Sequence, residues 1–138
     1  MQIFIQTIDA ATVVTINGEL DGKTAPIIQA QLAQACAPGC QIALDMQHVN
    51  YLSSAGLRML LMLNRQIAGL NGRIVMVGLS SDLIDTLAET GFLAYLQIEE
   101  TLDLGLVALH KNFEAQDDYR NNSPRADRFA PDPQLRSV

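Results

Sequence analysis

The stretch from Asp45 to Leu61, D-M-Q-H-V-N-Y-L-S-S-A-G-L-R-M-L-L, decides the interpretation of the fold. The apolar run Gln41–Met46 predicts a short buried strand, and the strand is expected to end at Asp45. A loop follows, anchored by Val49 and Leu52, and an apolar helix is predicted over Ala55–Leu70. The stretch is therefore a strand–loop–helix unit.

Two serines and a glycine mark the start of this helix. Ser53 or Ser54 is most simply an N-cap, because a hydroxyl accepts a hydrogen bond from a free backbone N–H of the first turn. Gly56 is a poor residue for a helix interior. It indicates that another backbone, or a partner, approaches the helix closely at this point.

Outward from this unit, short β-branched runs alternate with helical periods. The predicted order is β-β-α-β-α-β-α-β-α, and strand–helix–strand repeats imply parallel neighbours with right-handed crossovers. The first two strands, joined by the short turn Asp9-Ala10-Ala11, must be antiparallel. The predicted fold class is α/β, a mixed β-sheet with an antiparallel first hairpin and helices packed mainly on one face. The other predicted strands are Ile3–Ile8, Thr12–Asn17, Arg73–Val77 and Leu96–Ile98, and the other helices are Thr24–Cys36 (with Thr24 as its cap), Ser81–Thr90 and Thr101–Leu109.

Composition and charge predict one acidic domain followed by a tail. Apolar residues make up 49% of the chain and charged residues 17%, which excludes a wholly disordered protein. Residues 1–110 hold ten acidic and four basic side chains, which accounts for the net charge of −6. This charge argues against direct nucleic-acid binding and against docking on anionic membranes. Over 111–138 apolar residues are sparse and aperiodic, so we predict a domain over 1–110 and a disordered C-terminal tail.

The sequence also bears on compartment and cofactors. No apolar run approaches the ~20 residues of a membrane span, and the first eight residues lack the basic start of a signal peptide. Cys36 and Cys40 form no disulfide framework, and no second Cys or His pair completes a zinc site. We therefore predict a cytoplasmic protein without a metal or another cofactor.

Enzyme motifs are absent from the sequence. It contains no G-x-S-x-G elbow, no glycine-rich phosphate loop with Lys and no H-E-x-x-H. A serine nucleophile paired with His48 is conceivable, but nothing specifies the base, the acid and the oxyanion hole that such a serine needs. The chain is predicted not to be an enzyme.

Three blocks of the sequence together resemble the STAS domain, the fold of bacterial anti-sigma factor antagonists. Val49–Leu57, V-N-Y-L-S-S-A-G-L, is similar to the family's hydrophobic-x-aromatic-hydrophobic run followed by Ser and Gly-Leu. Gly18–Asp21, G-E-L-D, is followed closely by Thr24-Ala25. Val75–Gly78 and Leu83–Gly91 resemble the family's later strand and the helix that ends near a glycine. The blocks follow the family's order over about residues 3–109.

The resemblance implies a phosphoacceptor at Ser54, with Ser53 as the runner-up. It implies that Asp21 and Asp45 lie near that hydroxyl, with Gly56 in the same surroundings. The implied function is an anti-sigma factor antagonist. Its unphosphorylated form binds an anti-sigma factor with serine kinase activity and so releases a sigma factor. Phosphorylation of Ser54 switches this binding off, and a serine phosphatase restores it.

A partner surface is predicted on the Ala55–Leu70 helix. Its periodicity places Arg58, Met62 and Arg65 on one face, with Met59 or Met62 exposed beside the arginines. Exposed Met adapts to a partner, although a solvated arginine face with both Met residues in the core is the simpler alternative. A second functional interpretation keeps the fold and removes the switch: a STAS scaffold subunit of a signalling or transport complex that is not regulated by phosphorylation.

Overall fold

A computed structural model describes residues 1–110 of the chain, and the predicted disordered tail over 111–138 lies outside the described residues. The predicted order of strands and helices is confirmed. The strands are β1 (Gln2–Ile8), β2 (Ala11–Leu20), β3 (Gln41–Leu52), β4 (Arg73–Val77) and β5 (Ile98–Glu99). The helices are α1 (Ala25–Leu32), α2 (Ser54–Gly69), α3 (Ser81–Glu89), a 3₁₀ turn at Leu93–Tyr95, and α4 over 102–110.

The five strands form one mixed sheet in the order β1-β2-β3-β4-β5. Only the first pair, β1 with β2, is antiparallel, as predicted, and the other neighbours are parallel. The turn between β1 and β2 has two residues, Asp9 and Ala10, with φ of 51° and 68°. Positive φ at both positions is typical of the tight turn whose twist matches a hairpin. Ala11, predicted in the turn, is instead the first residue of β2.

The helices lie mainly on one face of the sheet, as predicted. Helices α1, α2 and α3 cover the larger core, which includes Ile16, Leu44 and Met76 from the strands. Helix α4 covers the other face through Leu109, which packs with a smaller set of strand residues. That set consists of Ala11, Val13, Ala43, Val75 and Val77.

Three predicted ends differ from the structure by three residues or more. Strand β2 ends at Leu20 and not at Asn17. Strand β3 does not end near Asp45 but continues to Leu52, because β2 extends to Leu20 and pairs with β3 up to that residue, with two shifts of register. The supposed loop anchors Val49 and Leu52 are buried residues of this strand. Helix α1 ends at Leu32 and not at Cys36, since the backbone N–H groups of Ala35 and Cys36 donate to carbonyls three residues back and not four.

Candidate functional site

Ser53 is the N-cap of α2. Its backbone is extended, with φ −87° and ψ 173°, and its hydroxyl accepts a hydrogen bond of 3.1 Å from the backbone N–H of Gly56. This bond satisfies one of the N–H groups that the first turn of a helix leaves unpaired. The Ser53 hydroxyl therefore already has a structural role.

Ser54 is the first residue of α2, and its side chain is exposed. Within residues 1–110, its hydroxyl makes no hydrogen bond to another side chain or to the backbone. The positive end of the helix dipole lies at this position, where an added anion is stabilised. Of the two candidate serines, Ser54 is the one whose hydroxyl can be modified without removing the cap.

Asp21 lies in the turn that joins β2 to α1. Its Oδ1 accepts hydrogen bonds from the backbone N–H groups of Lys23 (2.9 Å) and Thr24 (3.0 Å). The Thr24 hydroxyl accepts from the Asp21 backbone N–H at 3.0 Å and donates to the Glu19 carbonyl at 2.7 Å. Thr24 occupies the predicted N-cap position of α1, but its side chain makes no cap bond and closes this turn instead.

The charge of Asp21 is stabilised by the same turn. The backbone N–H groups of Thr24 and Lys23 hold the pKa of the Asp21 carboxyl below its ordinary value, because they bond to the ionised form. Asp21 is therefore a fixed negative charge on this turn at neutral pH.

The turn after β2 packs directly against the start of α2. The backbone N–H of Ser53 donates to the Leu20 carbonyl at 2.9 Å. A Cβ on Gly56 would contact that carbonyl oxygen and lie 2.9 Å from its carbon, and a Cβ on Gly22 would lie 3.6 Å from the Ala55 side chain. The close approach that Gly56 indicates is thus to the backbone of Leu20. Gly56 allows the Asp21 turn and the Ser53–Ser54 helix start to meet.

Asp45 does not belong to this group, which corrects the prediction that it lies near Ser54. It is a middle residue of β3, and Leu52 lies seven residues further along the strand, a distance of about 23 Å. Its Oδ1 accepts from the backbone N–H of Gln47 at 3.0 Å. Its side chain lines a cavity of about 340 Å³ together with Val77, Glu100 and Leu102. Of the two acidic residues predicted around Ser54, only Asp21 lies on an element that packs against the start of α2.

The predicted partner face of α2 is exposed. Arg58, Met62 and Arg65 lie at the surface, with 53% of Met62 exposed, whereas Met59 is only 3% exposed and belongs to the core. The structure thus decides which of the two Met residues is available to a partner.

The exposure of two apolar side chains on neighbouring elements was not predicted from the sequence. Tyr51 lies at the end of β3, and Ile27 lies on α1, which packs against α2. The sequence pattern predicts a loop at Tyr51, so no strand alternation shows that its side chain is exposed. Ile27 precedes the buried Ile28, and the helical period could have shown that only one of these adjacent residues faces the core.

Comparison with known proteins identifies related chains. The family model described as "STAS domain" matches residues 2–105. An anti-sigma factor antagonist of Bordetella bronchiseptica, BtrV, is 25% identical over 109 residues, which cover 78% of this chain and 94% of BtrV.

Solved structures show the same fold. An anti-sigma factor antagonist from Mycobacterium paratuberculosis has a TM-score of 0.71 at 24% identity, with 79% of this chain and 93% of that chain covered. One from Thermotoga maritima also has a TM-score of 0.71, at 15% identity, over 78% and 94% of the two chains. The phosphorylated form of SpoIIAA from Bacillus has a TM-score of 0.59 at 16% identity, over 78% and 98%.

No helix within residues 1–110 is long and apolar enough to cross a membrane.

Proposed function

We propose a function for this chain from one premise: it belongs to the STAS domain family. In this proposal the chain is a cytoplasmic anti-sigma factor antagonist. Its unphosphorylated form binds an anti-sigma factor that is also a serine kinase, and this binding releases a sigma factor. Phosphorylation of Ser54 ends the binding, and a serine phosphatase restores it. The names of BtrV and of the structural neighbours support this role.

The observation that carries the proposal is that the two serine hydroxyls have different structural roles. Ser53 caps α2 with its hydroxyl, while the Ser54 hydroxyl is exposed at the first helical position. A kinase can reach Ser54 without unwinding the helix. The domain is expected to stay folded after modification, because the helix N-terminus stabilises the added negative charge.

The switch acts on the surface. A phosphate adds about −1.5 to −2 charge at pH 7. It would be added near the Asp21 turn, whose carboxylate is held ionised. A partner that buries neutral Ser54 would have to bury an unpaired dianion after modification, which costs several kcal/mol. Since ~1.4 kcal/mol is a tenfold change in affinity, this cost is enough to end the binding.

The partner surface is proposed to extend from Ser54 along α2. Arg58 and Arg65 can pair with carboxylates of the partner, and the exposed Met62 between them can adapt to an apolar contact.

The chain offers a closely matched control for a test at Ser54. Helix α3 begins with the same arrangement, because Ser80 caps it by accepting from the Leu83 N–H at 3.2 Å and Ser81 is its exposed first residue. Ser54→Asp and Ser81→Asp therefore add the same charge at equivalent positions of two different helices.

The test begins with the kinase from the source cells that binds the immobilised wild-type chain and phosphorylates it with ATP. Calorimetry with that kinase should show binding at least about tenfold weaker for Ser54→Asp, and further weakening for the phosphorylated chain. Ser81→Asp should bind like the wild type. If Ser54→Asp and the phosphorylated chain both keep full affinity while circular dichroism shows an intact fold, the switch is contradicted. The unregulated scaffold is then the better interpretation.

A further inference from the structure

Strand β1 is an unprotected edge of the sheet. It is the first strand in the order β1-β2-β3-β4-β5, so within the described residues its outer backbone groups have no neighbouring strand. It is seven residues long, whereas the opposite edge strand, β5, has only two. Soluble proteins usually protect a long edge with Lys, Pro, a bulge or a very short strand. Gln2–Ile8 contains no charged residue and no Pro, and its register with β2 shows no shift.

Both faces of this edge expose a large apolar side chain. Phe4 is 56% exposed and lies opposite Thr15, on the α4 side of the sheet. Ile5 is 47% exposed and lies opposite Val14, on the side of the larger core. A strand added to the edge would cover both side chains and pair the free backbone groups in one step.

The sequence of the edge reads the same in both directions. Gln2–Gln6 is Q-I-F-I-Q, a palindrome centred on Phe4. When two copies of such a strand pair antiparallel about a twofold axis through the sheet, Phe4 lies opposite Phe4, Ile3 opposite Ile5, and Gln2 opposite Gln6. Each pair then consists of two residues of the same type, and cross-strand aromatic and β-branched pairs stabilise a sheet. Centring the pairing on Ile5 would instead place Phe4 opposite Gln6.

We propose that β1 is a homodimer interface, in which two copies of this chain join their sheets through antiparallel β1 strands centred on Phe4. The absence of charge on β1 is the feature that selects a second copy. Two chains that each carry −6 repel one another, and a neutral strand is where they can meet without opposing like charges. Five paired residues span about 17 Å, which is a small interface. The dimer should therefore form and dissociate reversibly with concentration.

Sedimentation velocity over a dilution series of the full chain tests the proposal. The wild type should change from monomer to dimer across the micromolar range. Phe4→Lys, which places two like charges directly opposite each other, should weaken the association at least about tenfold. Ile27→Lys is the matched control, because Ile27 is 49% exposed but lies on α1, and it should behave like the wild type. A wild type that stays monomeric at every concentration, or a Phe4→Lys variant that still dimerises, overturns the proposal.

A crosslinking experiment checks the register without adding charge to the edge. It uses a chain with Cys36→Ser and Cys40→Ser, so that only the introduced thiols react. On oxidation with diamide, which takes two electrons and two protons from each thiol pair, Phe4→Cys chains should link to each other, because opposite residues have Cα atoms about 4.5–5.5 Å apart. Gln6→Cys chains should link to Gln2→Cys chains but not to themselves, since two copies of position 6 lie about 13 Å apart. Self-linking of Gln6→Cys chains as fast as that of Phe4→Cys chains contradicts the register, and no linking of any kind contradicts the interface.

Discussion

Gly56→Ala adds a methyl group where α2 meets the backbone of Leu20, and the structure sets the direction of its effect. The new Cβ would contact the Leu20 carbonyl oxygen. It would lie 2.9 Å from the carbonyl carbon and 3.0 Å from the Cγ of the Leu20 side chain. A backbone carbonyl cannot rotate away as a flexible side chain can. The same carbonyl accepts the 2.9 Å hydrogen bond from Ser53 that holds the strand end to the helix start. The substitution therefore forces apart the contact on which the candidate site is built.

The change in the free energy of unfolding of Gly56→Ala is the sum of opposing contributions. Ala is favoured over Gly in a helix by about 1 kcal/mol. Overpacking costs about 1–3 kcal/mol, and loss of the Ser53–Leu20 hydrogen bond costs about another 0.5–1.5 kcal/mol. The net result should be a loss of about 2 kcal/mol in the free energy of unfolding. Gly69→Ala, in the same helix, is the control with the opposite sign. Nothing lies within 4 Å of a Cβ there, so it should gain about 0.5 kcal/mol.

Urea unfolding followed by far-ultraviolet circular dichroism is the suitable assay, because the chain has no Trp. With a slope of about 1–3 kcal/mol per molar for small proteins, the two variants should differ in midpoint by roughly 1–2 M urea. A Gly56→Ala variant as stable as Gly69→Ala would contradict the expected clash with Leu20.

Two further predictions concern the turn and the cap. Ser53→Ala should lower the free energy of unfolding by about 1 kcal/mol in the same urea assay, since the Gly56 N–H loses its partner, and Ser80→Ala should cost about the same in α3. A Ser53→Ala variant as stable as the wild type would contradict the assigned cap. Asp21→Asn should be less stable than the wild type at neutral pH. The lowered pKa of Asp21 means that its stabilisation is present above the ordinary carboxyl pKa and is lost as pH falls through the folded-state value. The difference between the two proteins should therefore vanish in acid, and a difference that does not change with pH would count against the turn's hydrogen bonds as its cause.

The element order could be predicted from the sequence because most strands and helices keep a regular apolar period. The second half of β3 could not be predicted in this way. Its pairing with β2 shifts register twice, so Gln47 and His48 are both exposed, as are Asn50 and Tyr51. Two exposed residues in succession break the alternation by which a half-buried strand is recognised. The predicted loop and the misplaced Asp45 both follow from this irregularity.

The candidate site was predictable in part. The resemblance implies a site at Ser54 and Asp21, which stays a prediction, and the residues alone leave the capping role open between the two serines. The choice depends on where the helix begins, and sequence patterns locate helix ends poorly. In the structure the Ser53 hydroxyl forms the cap bond to Gly56, and Ser54 lies one residue into the helix.

Phosphorylation of Ser54 is tested most directly by phosphopeptide mass spectrometry of the purified chain after incubation with ATP and a lysate of its source cells. A Ser54→Ala variant is treated in parallel, and Ser81 serves as an internal comparison in every sample. We expect one phosphate on Ser54, none on Ser81 and none on the variant. Phosphate on Ser53 alone would contradict the assignment of the site. No phosphate on either serine, in a lysate whose kinases modify a control substrate, would contradict the switch itself.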